Sequence, residues 1–343
     1  MGQNDPENLL FETSPYGNLD AIVEQDGRAV FFYLSGQGRE GDRFGTRACW
    51  VRNLLPGPYV INEDEMKQGL PPALPRTHCK YSDGRAAPVA DQLVVIWFEE
   101  GNGVALVENT PDGSSRTLAI IPPWSGIDGF HGYADECAAE SPICWPMPDQ
   151  PQLRERINRA REFWQSCQST DEHPFPELQK QILAAYRSAW DRETNYFAID
   201  GGKFPPRGLA TFETEDRMIA ATVGMSLCPQ PIVEMQVEHP RDRRRIELAI
   251  ELPSDIPAEA KNQILQQIGG LAAMPWHRWA WLGPSHTCGF NSLAAALGDE
   301  FQNVRIQQNV ADSKLTTPSL ADFRNDPVNL LWLVPFAGQV SAG

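Results

Sequence analysis

The string Gly224-Met-Ser226-Leu-Cys228 places a serine directly after an apolar run, where hydrolases hold a catalytic nucleophile. The G-x-S-x-G elbow of those enzymes needs a small residue at its last position, because a strained turn packs there against a helix. That position is Cys228 here, and Pro229 and Pro231 follow it, so the required helix cannot start directly. The string therefore indicates a turn that ends a strand.

His286 is the histidine best placed for chemistry, because it follows a Gly-Pro-Ser turn and turns often position functional side chains. Cys288 lies close behind it. The members of a cysteine protease dyad usually come from separate elements, so this spacing disfavours a dyad. We expect an imidazole that ties its loop together by hydrogen bonds, and no catalytic residue. A hydrolase that uses Ser226 or Cys288 with His286 is the alternative.

No pattern in the sequence predicts a metal or a cofactor. The groupings His131-x5-Cys137-x6-Cys144 and His78-Cys79 lack the ligand spacing of zinc knuckles. No P-loop string for binding a nucleotide phosphate is present. We therefore expect neither a metal ion nor a cofactor.

The chain is strongly acidic. Its 343 residues include 29 basic and 45 acidic side chains, which give a net charge of −16. A protein that binds duplex nucleic acid needs surplus Lys and Arg to displace counterions, so the charge disfavours that class. A basic protein or peptide is a better match, since opposite charge speeds an encounter. Solubility alone is the other interpretation of this charge.

The cellular compartment is predicted from signals that the sequence lacks. No apolar stretch approaches the ~18–20 residues that span a bilayer. The start, Met-Gly-Gln-Asn-Asp-Pro-Glu-Asn, is polar and acidic, unlike a secretory signal. The seven cysteines are odd in number and widely spaced, which predicts reduced thiols in place of a disulfide framework. We expect a cytoplasmic protein that does not bind membranes.

Residues 1–150 predict a β-rich N-terminal domain of unassigned function. Ala21–Leu34 has the pattern of a hairpin with its turn at Gln25-Asp26-Gly27, because Asp and Gly tolerate positive φ. Three further apolar runs predict the strands of an antiparallel meander: Leu93–Phe98, Val104–Val107 and Arg116–Ile121. Residues 122–150 contain five prolines without periodicity, and we expect a covering loop or linker there.

Residues 151–175 predict a helical linker between the domains. Pro151 suits the first position of a helix. Apolar residues then recur at steps of three and four: Leu153, Ile157, Ala160, Trp164 and Cys167. Pro176 begins a second helix, whose predicted inner face comprises Leu178, Ile182, Ala185, Tyr186 and Ala189.

Residues 176–343 predict a domain with a mixed sheet and flanking helices, so that the fold class of the whole chain is α+β with two domains. Met218–Val223 is an apolar run stopped by Gly224, which indicates a strand. Val328–Val334 is almost continuously apolar, as central strands are.

Ile246–Leu252 alternates apolar residues with Glu247, Ala249 and Glu251, which predicts a strand with one buried and one wet face. A helix is expected after it, with Ser254 as its N-cap.

Several blocks of the second half resemble the suppressor-of-fused domain, in its bacterial type. They are Thr222-Val-Gly-Met-Ser226, Arg244-Arg-Ile-Glu-Leu248, Leu271-Ala-Ala-Met-Pro-Trp276, Trp281-Leu-Gly-Pro-Ser-His-Thr287 and Val328-Asn-Leu-Leu-Trp-Leu-Val-Pro335. The resemblance covers about residues 176–343, and the order and spacing of the blocks make it fairly specific. Ser285 stands where the family usually has glycine, and the first 150 residues lie outside the resemblance.

The resemblance implies a suppressor-of-fused-like fold and a binding function. The animal relative sequesters a transcription factor by clamping an extended peptide strand between its domains. Bacterial relatives are thought to act as immunity proteins that neutralise toxins. We therefore expect a non-enzymatic protein that binds a toxin or a regulatory protein by surface complementarity and strand addition.

Residues in or beside the resembling blocks are the expected binding residues. We expect these to contact the partner or border its groove: Thr222, Met225, Arg244, Arg245, Glu247, Trp279, Trp281 and His286. The basic cluster Arg241–Arg245 is expected on a solvated strand edge, and a bidentate grip on a carboxylate or phosphate is its alternative use. The clustered tryptophans either pack internally or form an interface. The oligomeric state is left open, with a homodimeric scaffold as a third hypothesis.

Overall fold

The chain divides into two units, residues 1–165 and 166–343, in the computed structural model of the protein. The structure describes residues 6–38, 44–67, 70–127, 129–310 and 315–337. Antiparallel strands dominate the first unit, and a mixed sheet with helices forms the second. The α+β class predicted from the sequence is confirmed.

Four antiparallel strands form one sheet of the first unit, in the order β1-β2-β3-β4. They are β1 at Glu7–Thr13, β2 at Leu19–Gln25, β3 at Ala29–Gly36 and β4 at Thr46–Asn53. The predicted hairpin is confirmed as β2 and β3, which pair along their whole length. Asp26 closes the turn, because its carboxylate accepts the backbone N–H groups of Arg28 (2.9 Å) and Ala29 (3.1 Å).

The predicted meander is confirmed as part of a second sheet in the first unit, in the order β5-β6-β7-β8-β9. Its strands are β5 at Leu93–Trp97, β6 at Val104–Asn109, β7 at Ser115–Ile121, β8 at Tyr133–Ala134 and β9 at Trp145–Pro146. The last two, which pair in parallel, come from the proline-rich residues 122–150. A short helix, α1, spans Glu63–Lys67.

Helix α2, at Pro151–Gln168, packs its apolar residues into the core of the first unit. Its buried residues are Leu153, Ile157, Ala160 and Phe163, of which the first three pack in one apolar cluster with residues of β5, β6 and β7. The sequence predicts Trp164 on this face, but Phe163 is the fully enclosed ring. Trp164 lies half-buried and donates its indole N–H to the carbonyl oxygen of Trp97 (2.7 Å).

Seven strands form the sheet of the second unit, in the order β10-β11-β12-β13-β16-β15-β14. Their bounds are β10 Asn195–Ala198, β11 Gly208–Glu213, β12 Arg217–Val223, β13 Arg245–Pro253, β14 Thr287–Gly289, β15 Phe301–Gln307 and β16 Val328–Ala337. Only β13 and β16 pair in parallel among these strands. The helices are α3 at Pro174–Trp190, α4 at Val233–Gln236, α5 at Ala258–Arg278 and α6 at Ala294–Leu297.

The wet face predicted for β13 is wrong for Glu247 and Ala249, while Glu251 is half-buried. Glu247 and Ala249 are fully buried, because β13 is the middle strand and helix α3 covers this face. The ring of Trp190 in α3 lies 5.6 Å from the ring of Trp332 in β16. Trp332 is directly opposite Ala249 in β13, so their side chains lie on the same face of the sheet, and α3 covers that face. Burial on both faces explains why a charged residue of this strand lies in the interior.

Ser254 does not cap the helix that follows β13, contrary to the prediction. Pro257 is the N-cap residue of α5, and no side chain accepts a hydrogen bond there. The Ser254 hydroxyl donates instead to the carbonyl oxygen of Glu215 (2.9 Å). This hydrogen bond joins the turn between β11 and β12 to the turn that follows β13.

If α2 belongs to the core of the first unit, Ile157→Ala lowers the free energy of unfolding by about 2–5 kcal/mol, because it removes buried methyl groups and leaves a cavity. The measurement is urea unfolding of the full chain, followed by hydrogen exchange of peptides from β5, β6 and β7. Glu155→Ala, at an exposed position of the same helix, is the control and changes stability by less than about 0.5 kcal/mol. Equal effects of the two variants would contradict the packing role of this helix.

Candidate functional site

The candidate site of the second unit is built around the turn that follows β12. Gly224 ends that strand with a φ of 103°, in the left-handed region that favours glycine. A Cβ there would also lie 2.8 Å from the carbonyl oxygen of Pro206. A 3-10 turn at Met225–Leu227 follows and is completely buried. A buried turn of this kind needs internal partners for its backbone groups.

Glu247 supplies acceptors for the N–H groups of this turn. Its carboxylate accepts the backbone N–H groups of Gly224 (3.0 Å), Met225 (3.3 Å) and Ser226 (3.0 Å). The hydroxyl groups of Thr222 (2.7 Å) and Ser226 (2.6 Å) also donate to it. Successive N–H groups that converge in this way form an anion nest, and here the anion is the protein's own side chain.

Burial raises the pKa of the Glu247 carboxyl above its ordinary value, and the hydrogen bonds from Ser226 and Thr222 hold the rise back. The donors of the nest already point at Glu247. They are therefore engaged, and the nest does not offer them as an oxyanion hole for a substrate.

The alternative catalytic residues are not brought together by hydrogen bonds. The Ser226 hydroxyl is fully enclosed and donates to Glu247. Nδ1 of His286 lies 3.2 Å from the carbonyl oxygen of Trp281, and its ring meets the Trp281 ring edge-on at 4.3 Å. Cys288 pairs with Val304 between β14 and β15, and burial raises the pKa of its thiol. Within the described part of the chain, no hydrogen bond joins Ser226 or Cys288 to a histidine.

Arg245 holds the carbonyl groups of the same turn. Its Nη1 donates to the carbonyl oxygens of Ser226 (3.0 Å) and Leu227 (2.7 Å), and its Nε donates to the Asp326 carboxylate (2.9 Å). Arg244 donates to both oxygens of Asp326, at 2.9 and 2.7 Å. The solvated edge expected for this cluster is therefore wrong for Arg245, whose side chain is fully buried. The buried Asp326 carboxylate supplies the compensating charge.

The loop with the remaining expected residues is attached to this turn through Gln230. The Gln230 side-chain amide bridges Leu282, with its Oε1 2.7 Å from the Leu282 nitrogen and its Nε2 3.1 Å from the Leu282 oxygen. Trp276 is buried and donates its indole N–H to the carbonyl oxygen of Pro229 (3.2 Å). Trp279 and Trp281 are half-buried.

The structure thus gathers Thr222, Met225, Glu247, Arg244 and Arg245 around one turn, with Trp279, Trp281 and His286 on an adjoining loop. Sequence reasoning missed the roles of Ser226, Gln230 and Asp326 in holding this framework. The available signal for this framework is Glu247, a glutamate among the apolar residues of a predicted strand. Periodicity alone predicts that its side chain faces solvent.

In the part of the chain that the structure describes, strand β10 at one edge of the sheet is exposed. All four residues of β10 are exposed, including the rings of Tyr196 (38%) and Phe197 (43%). The backbone N–H of Ile199 donates to the carbonyl oxygen of Arg207. By the alternation of an antiparallel ladder, the N–H groups of Tyr196 and Ala198 point away from β11. The edge therefore presents main-chain groups to an additional strand.

Tyr196 is held in place on this edge. A Cβ at Gly208 of β11 would lie 2.0 Å from the Tyr196 hydroxyl oxygen, so the glycine makes room for the phenol ring. The Gln179 side-chain amide in α3 donates to the same hydroxyl (2.6 Å). The edge strand is thus anchored to both its neighbouring strand and a helix.

The first unit contains a pocket of about 440 Å³, walled by Phe31, Tyr33 and Phe130, with Arg47 and His131 beside them. Burial lowers the pKa of Arg47 to about 10 and lowers that of His131. Sequence reasoning missed this pocket, because its walls come from segments far apart in the chain.

Within residues 6–38, 44–67, 70–127, 129–310 and 315–337, no three His, Cys, Asp or Glu side chains are grouped as metal ligands. No helix in these ranges is both long enough and apolar enough to cross a membrane. Neither a protein-family model nor a curated protein matches the chain. The resemblance to the suppressor-of-fused domain accordingly rests on the sequence blocks alone.

Glu247→Gln lowers the free energy of unfolding by about 2–4 kcal/mol, because one carboxylate oxygen becomes an amide NH₂ that faces donors of the turn. The measurement is hydrogen-exchange protection of the peptide that covers β12, in the full chain under increasing urea. Glu251→Gln, on the same face of β13, is the matched control. It loses only the contact with the half-exposed Arg217, which contributes less than about 1 kcal/mol. Similar losses in both variants would refute the special role of the nest.

Asp326→Asn leaves Arg245 buried without its counter-charge and costs about 3–5 kcal/mol at neutral pH. Burial alone would raise the pKa of Asp326, but Arg244 and Arg245 outweigh it and lower the pKa. A lowered folded pKa means that the ion pair stabilises the protein fully above about pH 4 and less as the pH falls through the folded pKa. The raised pKa of Glu247 acts with the opposite sign, so the contribution of Glu247 to the free energy of unfolding is lost as the pH rises through its folded pKa.

The difference in stability between the wild type and Asp326→Asn isolates the pH dependence that comes from Asp326. We expect the gap between their urea midpoints to narrow as the pH falls below about 4. Asp322→Asn, at an exposed position four residues earlier, should follow the wild type throughout. A gap that stays constant with pH would contradict the ion-pair explanation.

Proposed function

We propose that the chain is a cytoplasmic, non-enzymatic protein-binding protein that sequesters or neutralises a partner protein. Its second unit is of the bacterial suppressor-of-fused type, and its partner is a toxin or a regulatory protein. The sequence blocks support this family, and the open edge of the sheet supports the mode of binding.

The observation that carries the proposal is the exposure of β10. An exposed sheet edge is a template for another strand, and proteins usually protect such edges with charges, prolines or a covering element. Here the edge strand is uncharged and carries two exposed aromatic rings. In strand addition, main-chain hydrogen bonds provide affinity and alternate side chains provide specificity. Tyr and other aromatic residues are enriched where protein interfaces concentrate their energy.

The charge of the chain supports a basic partner. With a net charge of −16, long-range attraction speeds the encounter with a positively charged protein, and salt weakens that attraction. The engaged Ser226 hydroxyl and the occupied nest favour a binding protein over the hydrolase alternative.

The test is capture from an extract of the protein's own cells at low salt, followed by a comparison of two edge variants with the identified partner. Ala198→Pro removes a main-chain donor that points outward, while the ladder to β11 stays intact because proline is tolerated at sheet edges. We expect it to weaken binding about tenfold or more, through the lost hydrogen bond and the clash of the ring with an added strand.

Ala198→Val keeps that N–H group and suits a strand, so it should bind as the wild type does. Thermal unfolding of both variants checks that the fold is retained. If no protein is captured at low salt, the binding function is refuted. If Ala198→Pro binds as tightly as Ala198→Val, the partner does not add to β10.

A further inference from the structure

Cys79 and Cys137 of the first unit are opposed residues in an isolated antiparallel bridge. The hydrogen bonds on either side define the type of pair. The nitrogen of Lys80 donates to the oxygen of Glu136 (2.9 Å), and the nitrogen of Ala138 donates to the oxygen of His78 (2.7 Å). The two cysteines between these bonds therefore form a non-hydrogen-bonded pair, the closer of the two antiparallel types.

The geometry of such a pair suits a disulfide. Its Cα atoms lie about 4.5 Å apart, within the ~4.4–6.8 Å that disulfides span. Opposed side chains also project from the same face of the ladder. Both thiols are free, with Cys79 half-buried and Cys137 buried.

We propose that Cys79 and Cys137 are a redox-modifiable thiol pair that closes into a reversible disulfide. The oxidant is a low-molecular-weight disulfide. The Cys79 thiolate, at the more accessible position, attacks one sulfur of that oxidant, whose S–S bond breaks, and one small thiolate leaves and takes up a proton. The Cys137 thiolate then attacks the Cys79 sulfur and expels the second small thiolate. The two cysteines together lose two electrons and two protons, and the oxidant becomes two thiols.

Accessibility sets this order of steps, because Cys137 is buried and a small disulfide reaches the half-buried Cys79 first. A hydrogen bond from Cys144 and the charge of Lys80 lower the pKa of Cys137, so a larger share of this resolving thiol is ionised at neutral pH. Burial raises the pKa of Cys79 to about 11. The first attack is therefore slow at neutral pH. At pH values below this pKa, the fraction of Cys79 that is thiolate rises about tenfold for each unit by which the pH increases.

The disulfide would tie two segments together over a buried ion pair. Glu136, next to Cys137, accepts a hydrogen bond from Arg52 at 2.7 Å, with both side chains almost fully enclosed. Arg85, a few residues after Cys79, reaches the same carboxylate at 2.7 Å. Closing the bond constrains the long intervening chain in the unfolded state, so oxidation stabilises the first unit.

The test uses the full wild-type chain, reduced and then incubated with oxidised glutathione without air. Remaining thiols are alkylated, and the protein is digested and mapped without reduction. We expect a peptide pair linked through Cys79 and Cys137, a protein lighter by about two hydrogen masses, and recovery of both thiols with dithiothreitol. The rate of linkage should rise with pH, and the thermal midpoint of the oxidised chain should exceed that of the reduced chain.

Single variants separate this pair from the other thiols. Cys79→Ser and Cys137→Ser should abolish the link, while Cys144→Ser should retain it. Cys288→Ser, at a half-buried cysteine of the second unit, is the matched control and should behave as the wild type. The proposal would be overturned by any of three results: glutathione that stays on Cys79 without forming the Cys79–Cys137 disulfide, a disulfide that forms first between Cys137 and Cys144, or no oxidised product at all. The wild-type map decides this even if a variant fails to fold.

Discussion

A carboxylate that is removed from water must find hydrogen-bond donors, and this requirement governs the second unit. Glu247 is buried because β13 is the middle strand of the sheet. Its donors come from the turn after β12 and from Thr222. The Thr222 hydroxyl also accepts the N–H of Leu248, and the Thr222 carbonyl accepts the hydroxyl of Tyr186 in α3. Glu247 and Thr222 together thus join two strands, a turn and a helix.

Arg245 complements Glu247 on the same turn. The two residues lie two positions apart on β13, so their side chains share a face. Glu247 accepts the N–H groups of the turn, and Arg245 donates to its carbonyl groups. Both kinds of backbone group are thereby satisfied without water, as a buried turn requires. Asp326 balances the arginine from the segment before β16, which brings a distant part of the chain to the same place.

This interior explains why the binding proposal centres on the sheet edge. The polar groups of the turn are engaged with one another, so the four fully buried residues Thr222, Met225, Arg245 and Glu247 act as framework. The main-chain groups on the outer side of β10 are directed away from the sheet, beside exposed aromatic rings. Tyr196 sits over Gly208 and accepts a hydrogen bond from Gln179, and an edge strand anchored in this way lowers the cost of ordering on binding.

The sequence by itself determined the α+β class, the β2–β3 hairpin, the meander of the first unit, the three longest helices and the strands β12, β13 and β16, because local periodicity and turn residues specify these features. It also supplied the blocks of the family resemblance. Only the tertiary structure decided that Glu247 and Arg245 are buried, that Ser226 serves Glu247, that α2 packs in the first unit and that Cys79 opposes Cys137. Alternation along one strand reports that strand's own two faces. It carries no information on which neighbours cover them, since those neighbours are distant in the chain.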